Sequence, residues 1–282
     1  MSLLTMLTRS SPNAAEKEAP VPQSFKSLSV PQMAALFCLG SVAVTWLGVF
    51  LFNRLAHRWI HGRRNANEMI GLTLAAFSTL YGILLGLLAV EAYQDFSTVQ
   101  DILSKEALTI ATLHRDFDGF PQPTRGALQD NLRNYAREAI DAIHPPPNVP
   151  QDPHSRSPGL TALFAQVMGF QAKLKSEEIV QTETFSRLNT LVEHRRYLIA
   201  AGANGIPKEL WLVVCLGGFL LLGLICIFDM EFHVHLILSG AMALFLGSVI
   251  FLIAAMDNPF NGGMTVDSGP LEAVLATFPE AR

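Results

Sequence analysis

Four stretches of the chain, residues 31–52, 69–90, 210–228 and 236–256, contain no Asp, Glu, Lys or Arg. Each is close to the roughly 20 residues that a helix needs to cross a hydrocarbon core about 30 Å thick. A charge at the centre of such a helix costs roughly 2.5–3.5 kcal/mol on insertion scales, so four long charge-free runs predict four membrane spans. The runs pair into two hairpins, 31–90 and 209–256, on either side of a long polar stretch.

That stretch, 91–208, has 118 residues and carries 26 of the 44 Asp, Glu, Lys and Arg side chains. Its apolar positions follow helical 3/4 spacing in three groups. The first is Phe96, Val99, Leu103, Ile110, Leu113 and Phe117, the second Leu128, Leu132, Tyr135 and Ala139, and the third Leu160, Leu163, Val167, Phe170 and Leu174. Gly119, Pro121 and Pro123 separate the first helix from the second, and the proline-rich run from His144 to Pro158 precedes the third. Gly202 to Pro207 ends the third helix before span three, since Gly and Pro are the strongest helix breakers. No such break lies between Glu68 and Phe117, so span two is predicted to run on into the first insert helix as a rod of about 75 Å.

The predicted fold is therefore all-α, an integral membrane protein of four transmembrane helices with a large soluble helical domain inserted between helices two and three. A tail at 1–30, with Ser11, Pro12, Asn13, Pro20 and Pro22, is expected to be mobile, and a C-terminal segment covers 257–282. The tail lacks the apolar core and small-residue cleavage site of a signal peptide.

Composition and charge narrow the function. Half of the residues are hydrophobic and 16% are charged, against roughly a quarter charged in an average soluble domain. Net charge is −4 with no strongly basic stretch, which leaves no electrostatic footprint for nucleic acid. Cys38, Cys215 and Cys226 all lie inside the apolar windows and read as small core hydrophobes. The connection 53–68 holds Arg54, Arg58, Arg63 and Arg64, whereas 229–235 holds no Lys or Arg. The positive-inside rule places 53–68 in the cytoplasm and the insert 91–208 outside.

No hydrolase, nucleotide-binding or zinc-protease motif is present, so an enzyme is not expected, nor a cofactor or bound metal. His57 and His61 stand at i,i+4, and Glu231, His233 and His235 form an E-x-H-x-H cluster. Either could meet a cation or titrate near neutrality. Interfacial residues near lipid headgroups are the favoured reading of both, and no further His, Cys or carboxylate near His57 and His61 completes a site. The spans hold no ionisable side chain of the kind that marks proton or charged-substrate pathways.

Span two is more informative. Gly71, Ala75, Ser78, Gly82, Gly86 and Ala89 recur three and four apart and lay a small-residue stripe along one helix face. Such a stripe permits close packing against another span. Alternatively it borders a conduction path, with Ser78 and Thr79 polar at mid-depth and Phe77, Tyr81 or Ile83 as an apolar constriction that gates by dewetting. Glu91 and Asp95 follow one turn apart, where in a symmetric oligomer they would ring a pore mouth with carboxylates or simply mark the helix leaving lipid. Asp257, just after span four, has the same two readings.

Three groups of residues together resemble the bestrophin-like domain family of mostly bacterial four-span membrane proteins. They are Asn67-Glu68 with Gly71, Tyr81, Gly82, Gly86, Tyr93, Glu106-Ala107, Arg115, Pro121, Arg125 and Tyr135; Arg195-Arg196 with Gly205-Ile206-Pro207 and Leu210-Trp211; and Asp257-Asn258-Pro259-Phe260 with Gly262-Gly263 and Val266. The likeness covers about 36–278. The chain departs from the family pattern in Asn258, where a basic residue is usual, and in lacking a Glu-Trp pair after the Tyr135 helix. The resemblance implies a bacterial inner membrane location and a distant kinship with bestrophins, which are homopentameric, mostly anion-conducting channels with apolar rings on the second span. It also implies a cytoplasmic insert, opposite to the charge rule.

On this reading the chain is an ion channel, anion-selective by family analogy, built as a homo-oligomer in the lipid bilayer with Phe77, Ser78, Thr79, Tyr81, Gly82, Ile83 and Gly86 along the pore. Gly205, Pro207, Trp211, Asp257, Pro259 and Phe260 are expected to be architectural. The alternative is a non-conducting membrane scaffold or sensor whose insert binds a partner or ligand.

Overall fold

A computed structural model describes residues 30–60, 66–143, 158–203, 205–228, 230–257, 259–260 and 264–278. They form eight helices: α1 (Val30–Ile60), α2 (Ala66–Asp116), α3 (Thr124–Ile143), α4 (Pro158–Gly169), α5 (Lys175–Ala203), α6 (Lys208–Cys226), α7 (Phe232–Met256) and α8 (Gly269–Ala276). No strand occurs among the described residues, and the molecule is all-α. The tail before Val30, the His57 side chain, His61, most of the proline-rich loop and Asn258 lie outside the described residues.

Four of the helices, α1, α2, α6 and α7, are long and apolar enough to cross a membrane. Their outward faces carry large apolar side chains that are about 70% exposed, among them Phe50, Leu80, Phe219 and Phe245. At roughly 25 cal/mol per Å² of apolar surface such faces are costly in water and free of that cost in lipid.

The spans hold one another through small residues and a few hydrogen bonds. The Ser41 hydroxyl of α1 donates to the Ala243 carbonyl of α7 at 2.7 Å, and a Cβ on Gly247 would collide with Ser41. One turn and a half further on, the Trp46 indole N–H donates to the Leu236 carbonyl at 3.1 Å. Close approach thus falls on glycines of α1, α6 and α7, Gly48 against Cys226 among them. On the small stripe of α2, Gly71 meets Phe228 and Ala89 packs against the α6/α7 core, whereas among the described residues nothing lies within 4 Å of a Cβ built on Gly82 or Gly86.

α2 is one helix of 51 residues. With no Gly-Pro break and long runs of good helix formers, nothing in its sequence stops it at the end of the apolar window. Its upper half joins α3, α4 and α5 in a core that includes Leu103, Ile110, Leu113, Leu132, Leu163 and Leu191. Its lower half joins α6 and α7 in a second core around Tyr81, Leu85, Val214 and Leu246.

The third insert helix expected from periodicity is two helices. Gln181 donates from Nε2 to the Val167 and Phe170 carbonyls at 2.7 and 2.9 Å, satisfying the end of α4. Glu177 Oε2 accepts from the Lys173 and Leu174 amides at 2.7 and 3.2 Å, satisfying the start of α5. Side chains thereby supply the partners that helix ends otherwise lack. Phe170, in the break, still points into the core, edge-on to Phe120 at 5.0 Å, whereas Leu174, the last position of the expected group, is exposed.

The C-terminal segment returns to the insert. Met264 and Val266 amides donate to the Ala255 and Pro259 carbonyls, and α8 lies against α2 and α3. Val266, Leu271 and Phe278 complete the insert core.

Candidate functional site

The seven residues singled out on span two lie on two sides of α2. Tyr81 faces inward, 6% exposed, with its hydroxyl donating to the Val214 carbonyl of α6 at 2.7 Å. The ring occupies the space beside Gly217, where any Cβ would overlap it. Phe77 stacks on Tyr81 at 6.2 Å and 11° and is partly buried in the same core. Thr79, Gly82, Ile83 and Gly86 lie on the open side, and Ser78 sits at the edge between the two. The Thr79 hydroxyl bonds back to the Ala75 carbonyl, so its methyl, Ile83 and the two glycines share one exposed, apolar side of the helix.

Glu91 and Asp95 are exposed where α2 leaves the apolar window. Asp95 borders a cavity of about 240 Å³ that also has Ala92, Tyr197, Ile206, Asp257 and Pro259 in its wall. Here the ends of α5 and α7 meet the start of α6, and the family-motif residues gather around one carboxylate. Asp257 Oδ1 accepts from the Ile206 amide at 2.5 Å and Oδ2 from the Trp211 indole at 3.2 Å. Gly205 passes so near that a Cβ would stand 3.1 Å from Asp257 Oδ1. Pro207 starts α6, its carbonyl accepting from the Leu210 and Trp211 amides. Pro259 is buried, and Phe260 packs against the insert core. The junction between spans and insert is thus tied by hydrogen bonds to Asp257.

Glu231, His233 and His235 do not converge. His235 is buried with Nε2 bonded to the Ile225 carbonyl at 3.0 Å, while Glu231 and His233 are exposed.

A group that periodicity did not single out as a site lies deep in the insert. Glu106 of α2 and Tyr135 of α3 are fully buried, and the Tyr135 hydroxyl donates to Glu106 Oε1. Among the described residues the second carboxylate oxygen has no hydrogen-bond partner, nor do buried Nδ1 of His194 and Nε of Arg195 on α5. Burial pushes the Glu106 carboxyl above its usual range, against the opposing pull of Arg195, the Tyr135 hydrogen bond and His194. Burial and the Glu106 charge together raise Tyr135 well above the ordinary phenol value, which keeps it a hydrogen-bond donor. The sequence signal was a carboxylate on the apolar stripe between Leu103 and Ile110.

Four apolar helices, a long helix shared by membrane and insert, and a helical body closed by the returning C-terminal segment define a multi-span membrane protein of one particular build. The bestrophin-like domain model matches residues 39–271, and the chain belongs to the bestrophin-like family. Among solved structures it resembles a variant of a bacterial bestrophin homologue from Klebsiella pneumoniae, 15% identical, over 87% of this chain and 96% of that one, with a TM-score of 0.61. A second structure of the Klebsiella pneumoniae homologue is 16% identical over 86% and 94%, with a TM-score of 0.58. A structure described as a membrane protein is 15% identical over 86% and 94%, at 0.60. At these identities the likeness is one of fold. The comparison with curated proteins gave no match.

Proposed function

We propose that the chain assembles as a homo-oligomer that conducts small inorganic ions through the membrane, with α2 of each copy toward the axis. The observation that carries this reading is the open side of α2, where Thr79, Gly82, Ile83 and Gly86 are exposed and have no partner helix among the described residues, although Tyr81, Leu85 and Leu88 pack on the other side. Copies brought together along that side would leave a narrow apolar passage with Ile83 as its constriction, and Tyr81 and Phe77 would brace it from behind. Hydrophobic constrictions of this kind conduct when wetted and close when dry. Kinship with bestrophins favours anions, with a pentamer by the same analogy. Glu91 and Asp95 would then stand near the mouth of the passage.

Purified protein in planar bilayers tests the reading. Conductance that rises in Ile83→Ala and changes its ion preference in Glu91→Gln supports it. Silent bilayers over a broad range of voltage, pH and calcium, together with particle images lacking an axial path, would leave the scaffold reading in its place.

In a bacterial inner membrane the arginine-bearing connection 53–68 would face the cytoplasm on the charge rule, with the insert outside.

A further inference from the structure

The most unusual placement of charge in the chain is in the insert, away from the passage just described. Glu106 is fully buried, between Leu103 and Ile110 on the packed face of α2. A buried carboxylate normally has every lone pair engaged, because an unpaired buried charge is expensive. Glu106 has one partner, the Tyr135 hydroxyl, and one oxygen without any. The cationic Arg195 guanidinium and the His194 ring of α5 act on it, but the buried Nε of Arg195 and Nδ1 of His194 make no hydrogen bond to it or to anything else. This arrangement solvates the ionised carboxylate incompletely, and it tolerates the neutral acid better.

Other charged groups on the elements packed against α2 are committed elsewhere. Glu138 of α3, which acts on Tyr135, has both oxygens on the Gly159 amide at 3.2 Å. In the C-terminal segment, Glu272 accepts from Ser268 and Asp267 accepts from the Gly269 amide. Arg187 of α5 pairs with Asp116 and Glu183. The groups that bear on the Glu106 proton are therefore Tyr135 of α3 and His194 and Arg195 of α5.

We propose that Glu106 is a proton-operated latch of the insert: taking up a proton, it fastens α2 to α3 and α5, and releasing the proton loosens that attachment. The sign follows from linkage. Burial raises the folded-state value of Glu106 above that of the unfolded chain, so the folded insert binds the proton more tightly. The stabilisation is complete below the unfolded value and is lost as pH rises through the raised, folded one. Because α2 is continuous with span two, whatever loosens its upper half also frees the helix that enters the membrane. The inference does not depend on whether the protein conducts.

Thermal unfolding of the full-length protein in detergent, from pH 4 to pH 8, tests it without any transport assay. His114 shifts the other way, its value lowered mainly by burial, so the readout is the difference between variant and wild type at each pH. Glu106→Gln keeps an acceptor for Tyr135 and has no proton to lose. Its melting temperature is expected to exceed that of the wild type at high pH by roughly 2–4 °C, with the difference vanishing on acidification. Tyr135→Phe removes a bond that favours the ionised form, so its own pH-dependent step is expected to move to higher pH. Were Glu106→Gln unable to fold, that displacement in Tyr135→Phe alone would decide. Parallel pH curves for wild type and Glu106→Gln, or an unmoved step in Tyr135→Phe, would overturn the proposal.

Discussion

Asp257 at the end of α7 accepts a hydrogen bond from the indole of Trp211 near the start of α6, 46 positions away in the chain, and its other oxygen takes the Ile206 amide. Both bonds have a donor from the protein and a charged acceptor, the stronger kind, worth roughly 1.5–3 kcal/mol each. Asp257→Asn would turn an amide NH₂ toward one of these donors. A loss of about 2 kcal/mol is expected, measured as a fall in melting temperature in detergent. Trp211→Phe, which leaves the Ile206 bond in place, is expected to cost less, about 1 kcal/mol.

Tyr81 of α2 lies directly against Gly217 of α6, leaving no room for a Cβ there. Gly217→Ala would displace the ring and break its bond to the Val214 carbonyl, an overpacking cost of about 1–3 kcal/mol. Tyr81→Phe removes only the hydroxyl and strands that carbonyl, so about 1 kcal/mol is expected. If Tyr81 lined an open passage in every copy, Gly217→Ala would leave stability unchanged, and unfolding measurements separate the two cases.

A self-association along the open side of α2 makes a geometric prediction. Gly82→Cys and Gly86→Cys are expected to cross-link between copies under mild oxidation, whereas Leu85→Cys, which points into the core shared with α6 and α7, is expected to stay monomeric on a denaturing gel. Equal cross-linking at all three positions would remove the support for α2 at the axis.

His114 stacks on Phe278 with ring centroids 4.3 Å apart and 13° between planes. Burial lowers its proton affinity, Asp118 opposes that, and Arg133 adds to it. A depressed histidine contributes stability above its unfolded value near 6.5 and loses it as pH falls through the folded one. Acidification is expected to release the C-terminal segment from the insert, seen as faster proteolysis beyond Val266, and His114→Gln is expected to remove that pH dependence.

Sidedness is open to labelling. An impermeant maleimide applied to intact cells is expected to modify Ser104→Cys on the exposed side of α2 if the charge rule holds. Protection would put the insert in the cytoplasm, as the family resemblance implies.

The helices that could be read from the sequence are those whose signal is local. The four apolar windows are visible because lipid forbids charge, and the length of α2 is visible because helix breakers are absent from 68 to 116. The division between α4 and α5 was hidden, since it depends on Gln181 and Glu177 reaching back to cap neighbouring turns. The small stripe of span two pointed to packing or to a passage, and only the fold leaves Gly82 and Gly86 without a neighbour among the described residues. Asp257, Gly205 and Trp211 were legible as a recurring motif, while the bonds that join them are a matter of tertiary geometry. Glu106 stood in plain view as a carboxylate in phase with an apolar stripe. Its companions, His194 and Arg195, lie nearly ninety positions away and carry no spacing that would link them to it.

The length of α2 has one more consequence. A rigid body with its fulcrum at the membrane surface multiplies displacement in proportion to its arms, and the part of α2 beyond Val90 is about 39 Å long at 1.5 Å per residue. A tilt of roughly 5° would carry Asp116 sideways by some 3 Å, while Gly82, a dozen ångströms on the other side, would move by only about 1 Å. Leverage runs both ways: a small adjustment among the span helices is written large in the insert, and a load applied at the tip is delivered to the membrane with a more than threefold gain in force.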